Sequence, residues 1–212
     1  MNIVIFGASG RTGTELVRQA LAQGHRVTAF VRNQARLRHI HHQNLTVVEG
    51  DLNNAAQVSS AMRGNHAVIS ALGVSKTLRH DPEVVRGISV IVNAMEKEKI
   101  DRLVYLSVFL AYAKPRQFSF FVHNILRKII RKEVLDHEQK ERLIRERVKA
   151  YTMVRACRLT DKPFTGNYHH GETIAIKNFL PSVPRADVAH FMLSQLADTT
   201  YLNKPVLLTA NP

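Results

Sequence analysis

The chain begins with four consecutive apolar residues, Ile3-Val4-Ile5-Phe6, that stop at a glycine. A short apolar run closed by glycine reads as a buried strand. A helical pattern follows over residues 11–22, then strands over 26–31 and 45–49, a helix over 55–62, and a strand over 67–72. Next come a helix at 82–97 and a strand at 102–106. In that helix Val84, Val85, Ile88, Ile91, Val92 and Met95 recur at i, i+3, i+4 spacing, which marks one buried face. Strands that alternate with helices imply βαβ units on a parallel sheet. The expected fold is α/β: a Rossmann-like, doubly wound parallel sheet in three αβα layers.

Beyond residue 108 the pattern loosens. Residues 118–131 read as a basic amphipathic helix, with Phe118, Phe121, Val122, Ile125 and Ile129 on one face and Arg127, Lys128, Arg131 and Lys132 on another. A helix at 136–148, strands at 151–155 and 173–176, a helix at 185–196 and a last strand at 206–209 complete the expectation. Only Pro115 interrupts the stretch between Gly87 and Pro163, so no domain boundary is signalled. The whole of 1–212 is expected to be one domain, with the lid and cleft elements in 108–150 and 156–184.

Composition narrows this picture little, but charge changes it. A length of 212 residues supports a sizeable core. The first apolar run is too short for a signal segment or a membrane span, so a cytoplasmic protein is expected. The single cysteine, Cys157, excludes an internal disulfide and fits a reducing compartment. Lys and Arg number 30 against 17 Asp and Glu, a net charge of +13 that attracts anions. Between residues 114 and 149 stand 11 basic and 5 acidic residues, which concentrates about half of that charge. Segment 118–132 therefore has two readings, a lid with a solvated back or a helix lying on anionic lipid. Nucleic acid is not expected as a partner: no recognised module is present, and few aromatics interleave with the basic residues.

The stretch Gly7-Ala-Ser9-Gly10-Arg11-Thr12-Gly13 sits between the first strand and the first helix. In that context Gly7 permits a tight turn, Gly10 lets a pyrophosphate approach the backbone, and Gly13 lets helix and strand pack closely. Amides at the helix start and the helix dipole favour an anion, and Ser9 and Thr12 add hydroxyl donors. A Walker loop is excluded, because no Gly-Lys-Ser/Thr follows. NAD sites usually carry an acid roughly 20 positions on, at the end of the second strand. Between Glu15 and Glu49 this chain has no Asp or Glu, and Arg32 stands at that strand end with Arg36 and Arg38 behind it. A guanidinium pairs with a 2′-phosphate where a carboxylate repels it. The cofactor expected is NADP(H). Asp51 is placed to accept from the adenine amine or to cap the next turn.

These residues, together with Gly50-Asp51-Leu52, Ala71-Leu72-Gly73, Leu106-Ser107-Val108, Asp161-Lys-Pro163-Phe-Thr165-Gly166 and Arg185-Ala-Asp187-Val-Ala189, resemble the atypical short-chain dehydrogenases/reductases. The resemblance spans nearly the whole chain and is strongest to the NmrA-like, NAD(P)H-binding branch that includes biliverdin IX beta reductase/flavin reductase. It implies cofactor contacts at Gly7, Ser9, Gly10, Arg11, Thr12, Gly13, Arg32, Asp51, Leu52, Ala71, Leu72, Gly73 and Ser107. It also implies NADPH-dependent reduction of flat conjugated acceptors such as flavins, quinones or tetrapyrroles. Its other implication is NADP(H) sensing without catalysis, as in NmrA-like regulators.

Ordinary short-chain dehydrogenases use Tyr-x-x-x-Lys to deliver a proton. None of the five tyrosines here has Lys four residues on, and Tyr112 has Arg116 there. Candidate site groups are instead Ser107, His137 and Arg158. Ser107 is expected beside the nicotinamide, orienting its carboxamide or the acceptor, or else bonding to backbone. His137 matches a histidine of the reductase pattern, and its other reading is a half-exposed helix residue. Arg158 stands where that pattern has a second histidine; it holds its proton at ordinary pH, so it suits an anionic acceptor rather than proton transfer. No metal site is expected. His39, His41 and His42 share a basic loop with no acid or cysteine nearby, and no base is placed beside Cys157.

Overall fold

A computed structural model of the chain describes residues 1–73, 82–109, 131–178 and 180–212. Segment 118–132, expected as a lid or a lipid-facing helix, lies outside them except for its last two positions. Among the described residues no helix is long and apolar enough to cross a membrane.

The elements run β1 (Asn2–Phe6), α1 (Arg11–Ala22), β2 (Arg26–Val31), a short 3-10 helix (Gln34–Leu37), β3 (Leu45–Glu49), α2 (Ala55–Met62), β4 (Ala67–Ser70) and α3 (Pro82–Glu98). There follow β5 (Arg102–Val108), α4 (Arg131–Arg147), β6 (Ala150–Ala156), β7 (Arg158–Thr160), β8 (His169–Gly171), β9 (Ser182–Pro184), α5 (Arg185–Ser194) and β10 (Lys204–Thr209). The main sheet has the order β3-β2-β1-β4-β5-β6-β10-β8, and β7 pairs with β9 apart from it. Every pair from β3 to β10 is parallel, and β8 joins β10 antiparallel. This is the Rossmann-like α/β fold expected from the alternating pattern.

Parallel strands covered on both faces read as continuous apolar runs. The central strands obey this: Ile3, Val4, Ile5 and Phe6 of β1 are wholly buried, as are Ala67, Val68 and Ile69 of β4. Successive side chains alternate between faces. Ile3 and Ile5 enter a core shared with Leu16, Val17 and Ala20 of α1 and Val188, Ala189 and Met192 of α5. Val4 and Phe6 enter a second core with Val58 of α2, Ile88, Ile91 and Val92 of α3, and Ile144 of α4. Helix starts are set locally. The Asn54 side chain accepts from the amides of Ala56 and Gln57 to cap α2, and Asn33 accepts from Ala35 to start the 3-10 helix.

Two expectations are corrected. No strand forms at 173–176. The alternating Ile174 and Ile176 pack instead, in irregular chain, against Phe109, Cys157 and Leu207, while His169–Gly171 pairs with β10. In addition β5 runs two residues beyond 106, so Ser107 lies within the strand rather than after it.

Candidate functional site

Strand order reverses between β1 and β4, and at such a switch point a crevice opens at the carboxyl ends of the strands. Gly7 turns the chain there at φ +76, where a Cβ would lie 2.7 Å from the Ala71 carbonyl oxygen. Its own carbonyl accepts from the Gly10 amide at 3.0 Å. The first bond of α1 runs from the Thr14 amide to the Gly10 carbonyl, 2.8 Å. The amides of Arg11, Thr12 and Gly13 precede it and are the free donors of the helix start. A Cβ on Gly13 would stand 2.0 Å from the Gly7 oxygen, so only glycine lets α1 sit this close to the loop. A Cβ on Gly10 would meet only that same oxygen, at 3.2 Å, and otherwise project into open space.

The crevice holds about 210 Å³. Gly7, Ser9 and Gly10 form one wall, and Ala71, Leu72 and Gly73 the facing one. The far end is closed by Arg32 and Arg36, by Asp51, Leu52 and Asn53, and by Phe30, Val31 and Val84. Nine of the expected cofactor residues thus meet in one place. Arg11, Thr12 and Gly13 belong to the loop without lining the space: Thr12 is buried, and the Arg11 guanidinium turns away to Asp161 at 2.7 Å. Arg36 was visible in the sequence without a role. The 3-10 helix carries it back to the crevice, while Arg38 bonds to its own helix at Ala35. Among the described residues neither Arg32 nor Arg36 has an ion-pair partner. The acid at the end of β3, Glu49, is occupied in accepting the Gln34 amide at 2.8 Å. Asp51 lines the crevice and also caps its turn, accepting from the Asn53 amide at 2.9 Å.

A second cluster lies at the carboxyl end of β5 and β6, under α4. Ser107 faces Arg155 across the strand pair. The Ser107 hydroxyl donates to Glu141 Oε1 at 2.7 Å, and Arg155 grips both oxygens of that carboxylate, at 3.1 and 2.6 Å. Glu141 is 1% exposed and Ser107 3%. His137, one helical turn before Glu141, is buried rather than half-exposed, as is Lys140. Ser107 is therefore buried with Glu141 and Arg155, and His137 is buried one turn before Glu141 on α4. Glu141 and Arg155 were missed because nothing local in the sequence links them.

A family model described as NAD(P)H-binding matches residues 7–199. The chain belongs to this NAD(P)H-binding family. The chain is 26% identical over 142 residues to the photosystem II assembly factor Ycf39 of Synechocystis, a match covering 65% of this chain and 43% of that factor. The chain thus spans less than half the length of that curated relative. Its fold is shared with a short-chain dehydrogenase/reductase from Veillonella parvula solved in complex with NADP, at TM-score 0.80 and 21% identity, covering 98% of this chain and 93% of the other. It is shared equally with ChuY, an anaerobillin reductase from Escherichia coli O157:H7, at TM-score 0.79 and 20% identity, covering 98% and 96%.

In this NAD(P)H-binding chain the remaining candidates separate from the crevice. Arg158 is exposed on β7, whose partner is β9. The motif residues around it are structural: Asp187, wholly buried at the start of α5, accepts from the Thr165 amide and hydroxyl and from the Gly166 amide at 2.8, 2.6 and 3.0 Å. Asp161 ties Arg185, at 2.6 Å, to Arg11 of the glycine loop. Burial pushes the Cys157 thiol up to about 11, against a weaker opposing bond from Thr209, which suits an inert side chain. The histidine loop is stabilised locally, with His42 Nδ1 accepting the Asn44 amide.

Proposed function

We propose that this chain is an NADPH-preferring reductase that passes hydride to a flavin-, quinone- or tetrapyrrole-like conjugated acceptor. The observation that carries the cofactor preference is the pair of guanidiniums at the crevice end beyond β2, Arg32 and Arg36, which have no ion-pair partner among the described residues. That is where a 2′-phosphate requires cations and where a 2′-hydroxyl would call for a carboxylate. The bare walls at Gly7 and Gly10 suit a pyrophosphate drawn to the start of α1. When bound, the nicotinamide would supply a hydride, which carries the electron pair, and the second hydrogen of the reduced acceptor would come as a proton from water. The chain's share is to bind, orient and exclude. The lack of Tyr-x-x-x-Lys supports an acceptor that needs no dedicated acid. The tetrapyrrole class draws support, at the level of fold, from the anaerobillin reductase.

Arg32→Ala should weaken NADPH roughly tenfold, as expected for losing one charge-assisted contact, and leave NADH nearly unchanged. Calorimetric titration of both nucleotides reads this; equal losses would refute the preference. NADPH oxidation with FMN and quinone dyes then tests turnover.

A second reading is a non-catalytic NADP(H) sensor that signals through a protein partner. The likeness to an assembly factor favours it. Tight NADPH binding with no turnover over a broad acceptor panel would select it.

A further inference from the structure

We infer that Gly87, a buried residue of α3 that does not itself line the crevice, is a positioning residue that sets the width of the crevice at its far end. This rests on the reading of NADP(H) in the crevice. Gly87 stands inside a helix that runs from Pro82 to Glu98, where glycine is the poorest choice after proline. Its backbone is not left-handed, so no turn calls for it. The reason is a neighbour. A Cβ on Gly87 would lie 2.2 Å from Leu52 Cδ2 and 2.7 Å from its Cγ, far inside the separation of about 3.5–4 Å at which carbon atoms rest. Leu52 therefore seats its side chain in the notch that the missing Cβ leaves. Leu52 also lines the crevice, as does Val84, one turn before Gly87 on the same face of α3.

On its inner side Leu52 packs against the core beneath α2 and α3. With the notch filled, the side chain must leave α3, and the space left to it is the crevice. The end so narrowed is the one that carries Arg32 and Arg36, where the adenosine half of the dinucleotide would lie. The same device recurs there. Phe30, another lining residue, lies where a Cβ on Gly50 would stand 2.8 Å from its Cζ.

The test is calorimetric titration with NADPH and with adenosine 2′,5′-bisphosphate, the half that carries the 2′-phosphate. Gly87→Ala should weaken both by the same factor, roughly five- to tenfold. Its melting temperature should stay near or above that of the wild type, because alanine favours the helix. In a Leu52→Ala background the same substitution should cost less than about twofold, because no branched side chain is left to displace. A merely structural role would not produce that rescue. If Gly87→Ala does not fold, Leu52→Phe decides with Gly87 in place: its ring is too large for the notch and should weaken both ligands likewise. Equal losses in both backgrounds, no loss in the variant that decides, or a wild type that binds NADPH and ignores the bisphosphate overturns the inference while the cofactor reading stands. If the wild type binds neither ligand, both fall.

Discussion

At the glycine loop the backbone itself faces the crevice, and side chains contribute by being absent. Beneath α4 the reverse holds: a serine, a glutamate and an arginine, brought from three elements, satisfy one another away from water. The first construction depends on where a Cβ would collide. The second depends on whether charges keep their partners. The two regions should therefore fail differently when altered.

The largest effect is expected beneath α4. Glu141→Ala removes the buried carboxylate that Arg155 grips, and breaking a buried pair from one side typically costs about 3–5 kcal/mol. For a chain of this length the melting temperature should fall by roughly 10 °C or more. Replacing both residues, Glu141→Leu with Arg155→Met, should recover most of the loss. A double variant no better than the single one would mean that the pair is not the unit described here.

Next comes the loop. Gly13→Ala forces a Cβ to within 2.0 Å of the Gly7 oxygen, so α1 must shift. Overpacking of this kind costs about 1–3 kcal/mol. Gly10→Ala meets only a 3.2 Å contact and should melt close to wild type, yet lose NADPH affinity by on the order of tenfold. Thermal scans and nucleotide titrations of the two variants distinguish packing from approach. Comparable melting losses in both would erase the distinction.

The smallest effect is expected at Asp161→Asn, which releases Arg11 and Arg185. The Arg11 pair is exposed on both sides, and such pairs contribute about 0–1 kcal/mol. A change in melting temperature beyond a few degrees would show that the link from loop to α5 carries more than a surface pair should.

The same contrast explains what could be read from the sequence. Gly7, Gly10 and Gly13 act through spacing along the chain, so the loop and the parallel sheet behind it were legible from local pattern. Arg32 was legible because a missing acid is a local fact as well. Glu141 and Arg155 were not: they meet Ser107 only through the register of β5 with β6 and the docking of α4. The strands β7, β8 and β9 are three residues each, too short for alternation to show, and Ile174 and Ile176 imitated a strand that packing did not require. Asp187 was recognised as part of a motif, but its work, holding the Thr165-Gly166 turn, emerges only in three dimensions.

The brevity of β8 has a consequence for the molecule in a crowded solution. Without it, the apolar rim Val206-Leu207-Leu208 would offer unpaired amides and carbonyls to any passing extended peptide. Three residues running the opposite way, His169 to Gly171, occupy the places opposite Leu207, Leu208 and Thr209. They are too few, and end too soon at a glycine, to template another strand in turn. A stub of backbone at the margin thus acts as a guard against fibrous self-association.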